Sequence, residues 1–258
     1  MPDCRDCDYF DGAGCTVNSR LAPDSVIPRL RWCVWAIMHE YCRMISAGTR
    51  VLEIGCGANT LIRNHCFAVG AQWEGVDTES HYMGLPTVAT RLESVERLSF
   101  PDQYFDFVIG TQTLEHWSEY GCRPELGLWQ CFRACKVGGL VLLNVPIHFH
   151  GSRIFVEGDI EQIRSLFVPF TTDVSIEPWA RDSSPMPPLQ DIPLRFQKHE
   201  KPGVFQIDVR ARRQDWLSSR PRGYLFSSRL IRELLDHRLS YLLWKGWRKA
   251  KIHMPWLS

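Results

Sequence analysis

The sequence is short of several things that would narrow its role at once. No apolar run approaches the roughly 18 residues a membrane-crossing helix needs, so an integral span is excluded. The first residues carry Asp3, Asp6 and Asp8 and lack the positive-then-apolar order of a secretory leader. No internal repeat recurs at the periods of solenoids or propellers. Net charge is only +1 over 258 residues, so bulk electrostatics gives no reason to expect nucleic acid as a partner. Together these absences give the expectation of a cytoplasmic protein. Its ten cysteines then read as thiols or metal ligands rather than disulfides.

What is present is a chain 45% hydrophobic, long enough to bury a full core with additions at both ends. Residues 1–27 are rich in cysteine. Cys4 and Cys7, then Cys15 and Cys33, give C-x2-C-x7-C-x17-C, and a C-x2-C turn aims two thiolates at one point, as zinc or an iron–sulfur cluster requires. Cys42 is an alternative fourth ligand, and free cysteines in a flexible tail are the plainer alternative. From Pro28 to Ser46 apolar side chains recur at helical spacing (Leu30, Val34, Trp35, Met38, Tyr41), with a first-turn proline and Gly48 as a stop.

The run Val51-Leu52-Glu53-Ile54-Gly55-Cys56-Gly57 reads as a buried strand ending in a tight turn that feeds a helix over 60–69. Two glycines permit unusual φ values and close approach of a ligand to the backbone. A second strand ends at Asp77, about 20 residues on, where such a carboxylate takes hydrogen bonds from ribose hydroxyls in nucleotide-binding α/β folds. Phe100-Pro101-Asp102 reads as a turn into a strand over 105–109, followed by Leu114-Glu115-His116. A helix over 126–135 is expected to close at Val137-Gly138-Gly139, with a buried strand over 140–145. Cys131 and Cys135 on that helix read as core thiols, and Asp159 as a helix N-cap. Strands are expected at 171–178 and 204–210. The proline-rich stretch 181–203 between them is too long for an ordinary connection and reads as a substrate lid or partner loop.

Over residues 48–146 the combination E-x-G-x-G, a strand-end acid, F-P-D-x-x-F-D-x-V and L-E-H resembles class I S-adenosylmethionine-dependent methyltransferases, in particular the small-molecule branch with a ubiquinone-biosynthesis-like pattern. The resemblance implies an α/β fold: a Rossmann-like seven-stranded sheet with helices on both faces and an antiparallel last strand. The expected division is a Cys-rich segment 1–27, a methyltransferase domain 28–217 and a basic helical tail 218–258. It also implies that Glu53, Gly55, Cys56 and Gly57 meet the methionine end of S-adenosylmethionine and that Asp77 holds the ribose. Ser94 and Val95 would lie by the adenine, although many relatives have an acid where Ser94 stands. Thr111 and Gln112 would line the pocket.

For proton removal the sequence offers His148 and His150, directly after a strand end, and His116 in the L-E-H segment; unperturbed imidazole titrates near pH 6.5. The implied reaction is methyl transfer to oxygen or nitrogen of a small-molecule or glycan-type acceptor. The absence of Asn/Asp-Pro-Pro-Tyr after the fourth strand weighs against exocyclic base nitrogens. Two other readings stay open: a non-catalytic or regulatory subunit carrying the Cys cluster, and a nicotinamide site, against which stands the missing third glycine of G-x-G-x-x-G. In the tail, Leu230, Ile231, Leu234, Leu235, Leu239 and Leu242 form an apolar stripe with arginines and lysines on the other faces. Such a helix suits core docking, homo-oligomer contact or peripheral association with an anionic membrane.

Overall fold

A computed structural model of the protein describes residues 27–82, 85–147, 151–179 and 205–215. Cys4, Cys7, Cys15, His148, His150, the proline-rich segment and the basic tail lie outside the described residues, as does the side chain of Cys33. Helix α1 (Ile27–Met44) leads into strand β1 (Arg50–Ile54), helix α2 (Leu61–Val69) and strand β2 (Gln72–Asp77). Strand β3 is the short pair Arg91–Leu92, and β4 is Phe105–Thr111. Helix α3 (Pro124–Ala134) precedes β5 (Cys135–Ile147). The short helices α4 (Arg153–Glu157) and α5 (Ile160–Ser165) come before β6 (Val174–Trp179) and β7 (Phe205–Arg212).

These strands make one seven-stranded sheet in the order β3-β2-β1-β4-β5-β7-β6. The five strands from β3 to β5 pair in parallel, while β7 is antiparallel to both β5 and β6. The expected fold, antiparallel last strand included, is the observed one. Parallel strands covered on both faces must be apolar on both, and the two-residue period of a strand divides their side chains between two cores. Leu52, Val108, Val141 and Leu143 face α3, α4 and α5, packing with Phe132, Phe155 and Ile163. Their neighbours Val51, Ile109 and Leu142 face α1 and α2, packing with Ile37, Met38, Tyr41 and Ile62. Helix α1 is also tied to the far strand, since the buried Tyr41 hydroxyl donates to Asp208 of β7. Arg210 Nε donates to the other Asp208 oxygen at 2.7 Å.

The α3–β5 junction departs from expectation. The strand starts at Cys135, directly after the helix, and the glycines lie inside it. Register with β4 jumps from Phe105 opposite Cys135 to Phe107 opposite Leu140, which is a bulge. Gly138 has φ +80°, and a Cβ on Gly139 would lie 2.6 Å from the Asp106 carbonyl oxygen. The double glycine is therefore needed for a close backbone crossing within the strand. Cys131 and Cys135 are buried in the core, and Asp159 caps α5 by accepting from Gln162 N–H at 3.1 Å. Among the described residues no helix is long and apolar enough to cross a membrane.

Candidate active site at the carboxyl edge of the sheet

Strands β1, β2 and β4 end level with one another: Ile54 lies opposite Val76 on one side and Gly110 on the other. Their loops therefore open on one edge, where open α/β sheets bind ligands. Gly55 (φ +63°) and Gly57 (φ +53°) turn the chain sharply after β1. A Cβ on Gly55 would sit 2.9 Å from the Thr113 side chain, so the turn is closed to anything larger. Gly57 N–H donates to Asp77 Oδ2 at 2.9 Å, and Asp77 Oδ1 accepts from Thr78 N–H at 2.7 Å. One carboxylate thus joins the glycine turn to the end of β2.

The connection from β2 to β3 contains a hairpin, His81–Tyr82 against Leu85–Pro86. It folds back on the turn: Thr87 Oγ1 and Val88 N–H donate to the Gly57 carbonyl at 2.7 and 2.8 Å. The Tyr82 ring stands 3.5 Å from where a Cβ of Gly57 would be.

Glu53 is 1% exposed, and its carboxyl accepts from Trp73 Nε1–H at 2.9 Å. Burial pushes it up to about 8, an effect that the Trp73 bond only partly opposes. The Cys56 thiol is pushed up to about 12 by burial, with Glu53 and Asp77 adding to it, so it is not a reactive thiolate. Ser94 Oγ accepts from Glu96 N–H at 3.3 Å and lies 3.1 Å from Cys122 Sγ, while Val95 is buried. Ser94 therefore holds its own turn.

Thr111 pairs with Asn144, and Gln112 follows with φ +56°. Its backbone N–H donates to the Asn144 carbonyl at 2.8 Å. Its side-chain Nε2 donates to Asn144 Oδ1 at 2.7 Å and to Gln206 Oε1 at 2.8 Å. Asn144 and Gln206 are fully buried. This carboxamide trio, drawn from β4, β5 and β7, holds Gln112 in a conformation that non-glycine residues seldom adopt. Sequence reasoning did not single out Asn144 or Gln206. A polar residue in the apolar run 140–147 was the available signal for the first.

His116 is brought to the same edge. Its Nδ1 is 2.8 Å from Glu119 Oε2, and its Nε2 is 3.9 Å from Glu115 Oε1. Burial lowers its pKa, but the Glu119 contact and the Glu115 charge outweigh that, and the imidazole is raised above its ordinary value. Glu115 itself is fully buried. Among the described residues no group of three or more His, Cys, Asp or Glu side chains is placed to hold a metal ion.

Residues 52–143, from within β1 to within β5, match a family model described as a methyltransferase domain. No curated protein matches the sequence. Among solved structures, a SAM dependent methyltransferase from Archaeoglobus fulgidus is 18% identical over 77% of this chain and 100% of its own, with a TM-score of 0.48. The YcgJ protein from Bacillus subtilis is 14% identical over 70% of this chain and 99% of its own, with a TM-score of 0.47. Phosphoethanolamine N-methyltransferase 2 from Haemonchus contortus, in complex with S-adenosyl-L-methionine, is 16% identical over 80% of this chain and 59% of its own, with a TM-score of 0.48.

Proposed function

We propose, from the premise that this chain is a class I S-adenosylmethionine-dependent methyltransferase, that it methylates an oxygen or nitrogen of a small-molecule or sugar-bearing acceptor. The observation that carries the reading is the Gly57–Asp77 junction, a strand-end carboxylate drawn onto a positive-φ glycine turn at the carboxyl edge. The residues present fit the cofactor. Gly55, Cys56 and Gly57 would pass its methionine end, with Glu53 beneath the turn. Asp77 would accept from the ribose, Ser94 and Val95 would flank the adenine, and Thr111 and Gln112 would wall the methyl side.

When bound, S-adenosylmethionine supplies an electrophilic methyl group on a sulfonium. The chain's own task is to align the acceptor nucleophile and exclude water. His116, whose Nδ1 lies 2.8 Å from Glu119 Oε2, is assigned a proton-accepting role. His148 and His150 are proposed beside it as bases from the loop after β5. Calorimetric titration with S-adenosylmethionine, S-adenosylhomocysteine and NAD tests the premise. Both sulfur ligands are expected to bind and NAD is not. Binding of NAD alone would make the glycine turn a nicotinamide site.

Cys4, Cys7, Cys15 and Cys33 are proposed as ligands of a structural zinc ion or iron–sulfur cluster. Elemental analysis of the purified full chain is expected to find stoichiometric metal that a Cys4→Ser/Cys7→Ser protein loses. Metal retained in that double variant refutes the assignment.

A further inference from the structure

Glu115 is used by none of the roles assigned above, and its environment is unusual. The residue is 0% exposed and neither Oε1 nor Oε2 has a hydrogen-bond partner. Buried polar atoms are nearly always paired, because leaving water without a replacement bond is costly. Burial drives the carboxyl up to about 7, with the nearby His116 only partly opposing it.

Its position is as telling as its isolation. The Glu115 carbonyl accepts from Ser152 N–H at 2.9 Å. A Cβ on Gly151 would lie 2.7 Å from the Glu115 Cβ. The side chain therefore lies at the seam between the loops that follow β4 and β5. In the strand order this seam is on the far side of β1 from Asp77, which leaves it to the acceptor rather than to the ribose.

Among the described residues, none of the surrounding groups donates to Glu115. Gln112 commits Nε2–H to Asn144 and Gln206. Thr113 Oγ1 accepts from Trp117 Nε1–H at 2.7 Å. His116 Nδ1 is engaged with Glu119, and its Nε2 stays 3.9 Å from Glu115. In its ionised form the carboxylate offers only lone pairs, so a partner for that form brings the protons. A hydroxyl brings one proton and no charge. An ammonium group brings several N–H donors and the charge that a buried carboxylate lacks.

We propose that Glu115 binds the methyl acceptor through an ammonium group, so that the substrate is a primary or secondary amine. The inference rests on the methyltransferase reading of the site. The ammonium gives its proton to the His116 imidazole, whose ring lies 3.9 Å from Glu115 Oε1; the ammonium becomes a neutral amine with a lone pair, and the imidazole becomes an imidazolium beside the carboxylate. Entry of the amine must part the contact between Glu115 and the Gly151–Ser152 backbone, because the carboxylate is covered.

The test uses the full chain with 13C-labelled glutamate, saturated with S-adenosylhomocysteine, whose binding is measured first. The Glu115 carboxyl signal is identified by its loss in Glu115→Gln, or in Glu115→Asp should the first variant not fold. Propylammonium chloride is expected to move that signal with a half-saturation about tenfold lower than 1-propanol, as a charge-assisted bond requires. Glu115→Gln is expected to keep S-adenosylhomocysteine affinity and to melt no lower than the parent, since an acid that burial holds at about 7 costs stability as pH rises. An equal response to both probes overturns the inference and leaves the methyltransferase reading standing. A Glu115→Gln protein that melts lower yet binds propylammonium, by calorimetry, as tightly as the parent assigns the carboxylate to the fold, and also overturns it. Failure of the parent protein to bind S-adenosylhomocysteine removes the reading beneath.

Discussion

Asp77→Ala is expected to weaken binding of S-adenosylhomocysteine by about 1000-fold, the product of two losses. The first is the proposed pair of ribose hydrogen bonds to a charged acceptor, each worth about 1.5–3 kcal/mol, where about 1.4 kcal/mol is tenfold in affinity. The second is the tether to Gly57 N–H at 2.9 Å, without which the turn must be ordered at the moment of binding. Asp77→Asn separates them. Its side-chain oxygen can still accept from Gly57 while the charge is gone, and about tenfold weakening is expected. Calorimetry on the three proteins reads both steps. If Asp77→Ala binds within about threefold of the parent, well under one such bond, the carboxylate serves the turn alone and the ribose assignment falls.

Glu53→Gln is expected to stabilise the protein at pH 8 and to leave it nearly unchanged at pH 5. The sign follows from proton counting. The Glu53 carboxyl titrates at 4.5 without the fold and at about 8 within it. Between those values the native state holds a proton that the unfolded state has released, so stability falls as pH rises through the window. Each pH unit is worth about 1.4 kcal/mol, which makes the full effect several kcal/mol. Glutamine keeps an oxygen for Trp73 Nε1–H and cannot ionise. Melting curves of parent and variant across the window are therefore expected to diverge as pH rises. Parallel curves would mean that Glu53 ionises as it does in water. The same substitution is expected to cost cofactor affinity, because an ionisable acid under the turn is what a methionine ammonium group would favour.

Much of this was legible in the sequence, for reasons that differ by element. Strands buried on both faces leave continuous apolar runs, and β1, β4 and β5 stand out as Val51-Leu52, Val108-Ile109 and residues 140–143. Glycines in positive-φ turns leave a mark because few residues can replace them, so Gly55 and Gly57 were found. Asp77 followed because strand and helix lengths fix how far the next strand end lies.

The carboxamide trio was not legible, since Gln112 and Gln206 are 94 residues apart and no local pattern pairs them. A polar side chain in a buried strand announces that it has a partner without naming it. The expected strand over 140–145 lies within Cys135–Ile147, and only its start was missed, because a double glycine signals a break equally well at a helix end and at a bulge. The isolation of Glu115 is a property of what fails to surround it, which a sequence does not record.

The placement of β7 has a consequence for how the chain comes to be folded at all. It lies between β5 and β6 and is antiparallel to both, so among the described strands β6 has no partner until it arrives and β5 has only β4. Tyr41 and Asp208, which it brings together, are 167 residues apart. On the ribosome, the first helix and most of the sheet emerge long before the strand that locks them. Until residue 212 is clear of the exit tunnel, β5 presents an unpaired apolar edge, the kind of surface that invites association with other chains. Closure of the sheet is then a late, long-range pairing, the kind of contact that slows folding.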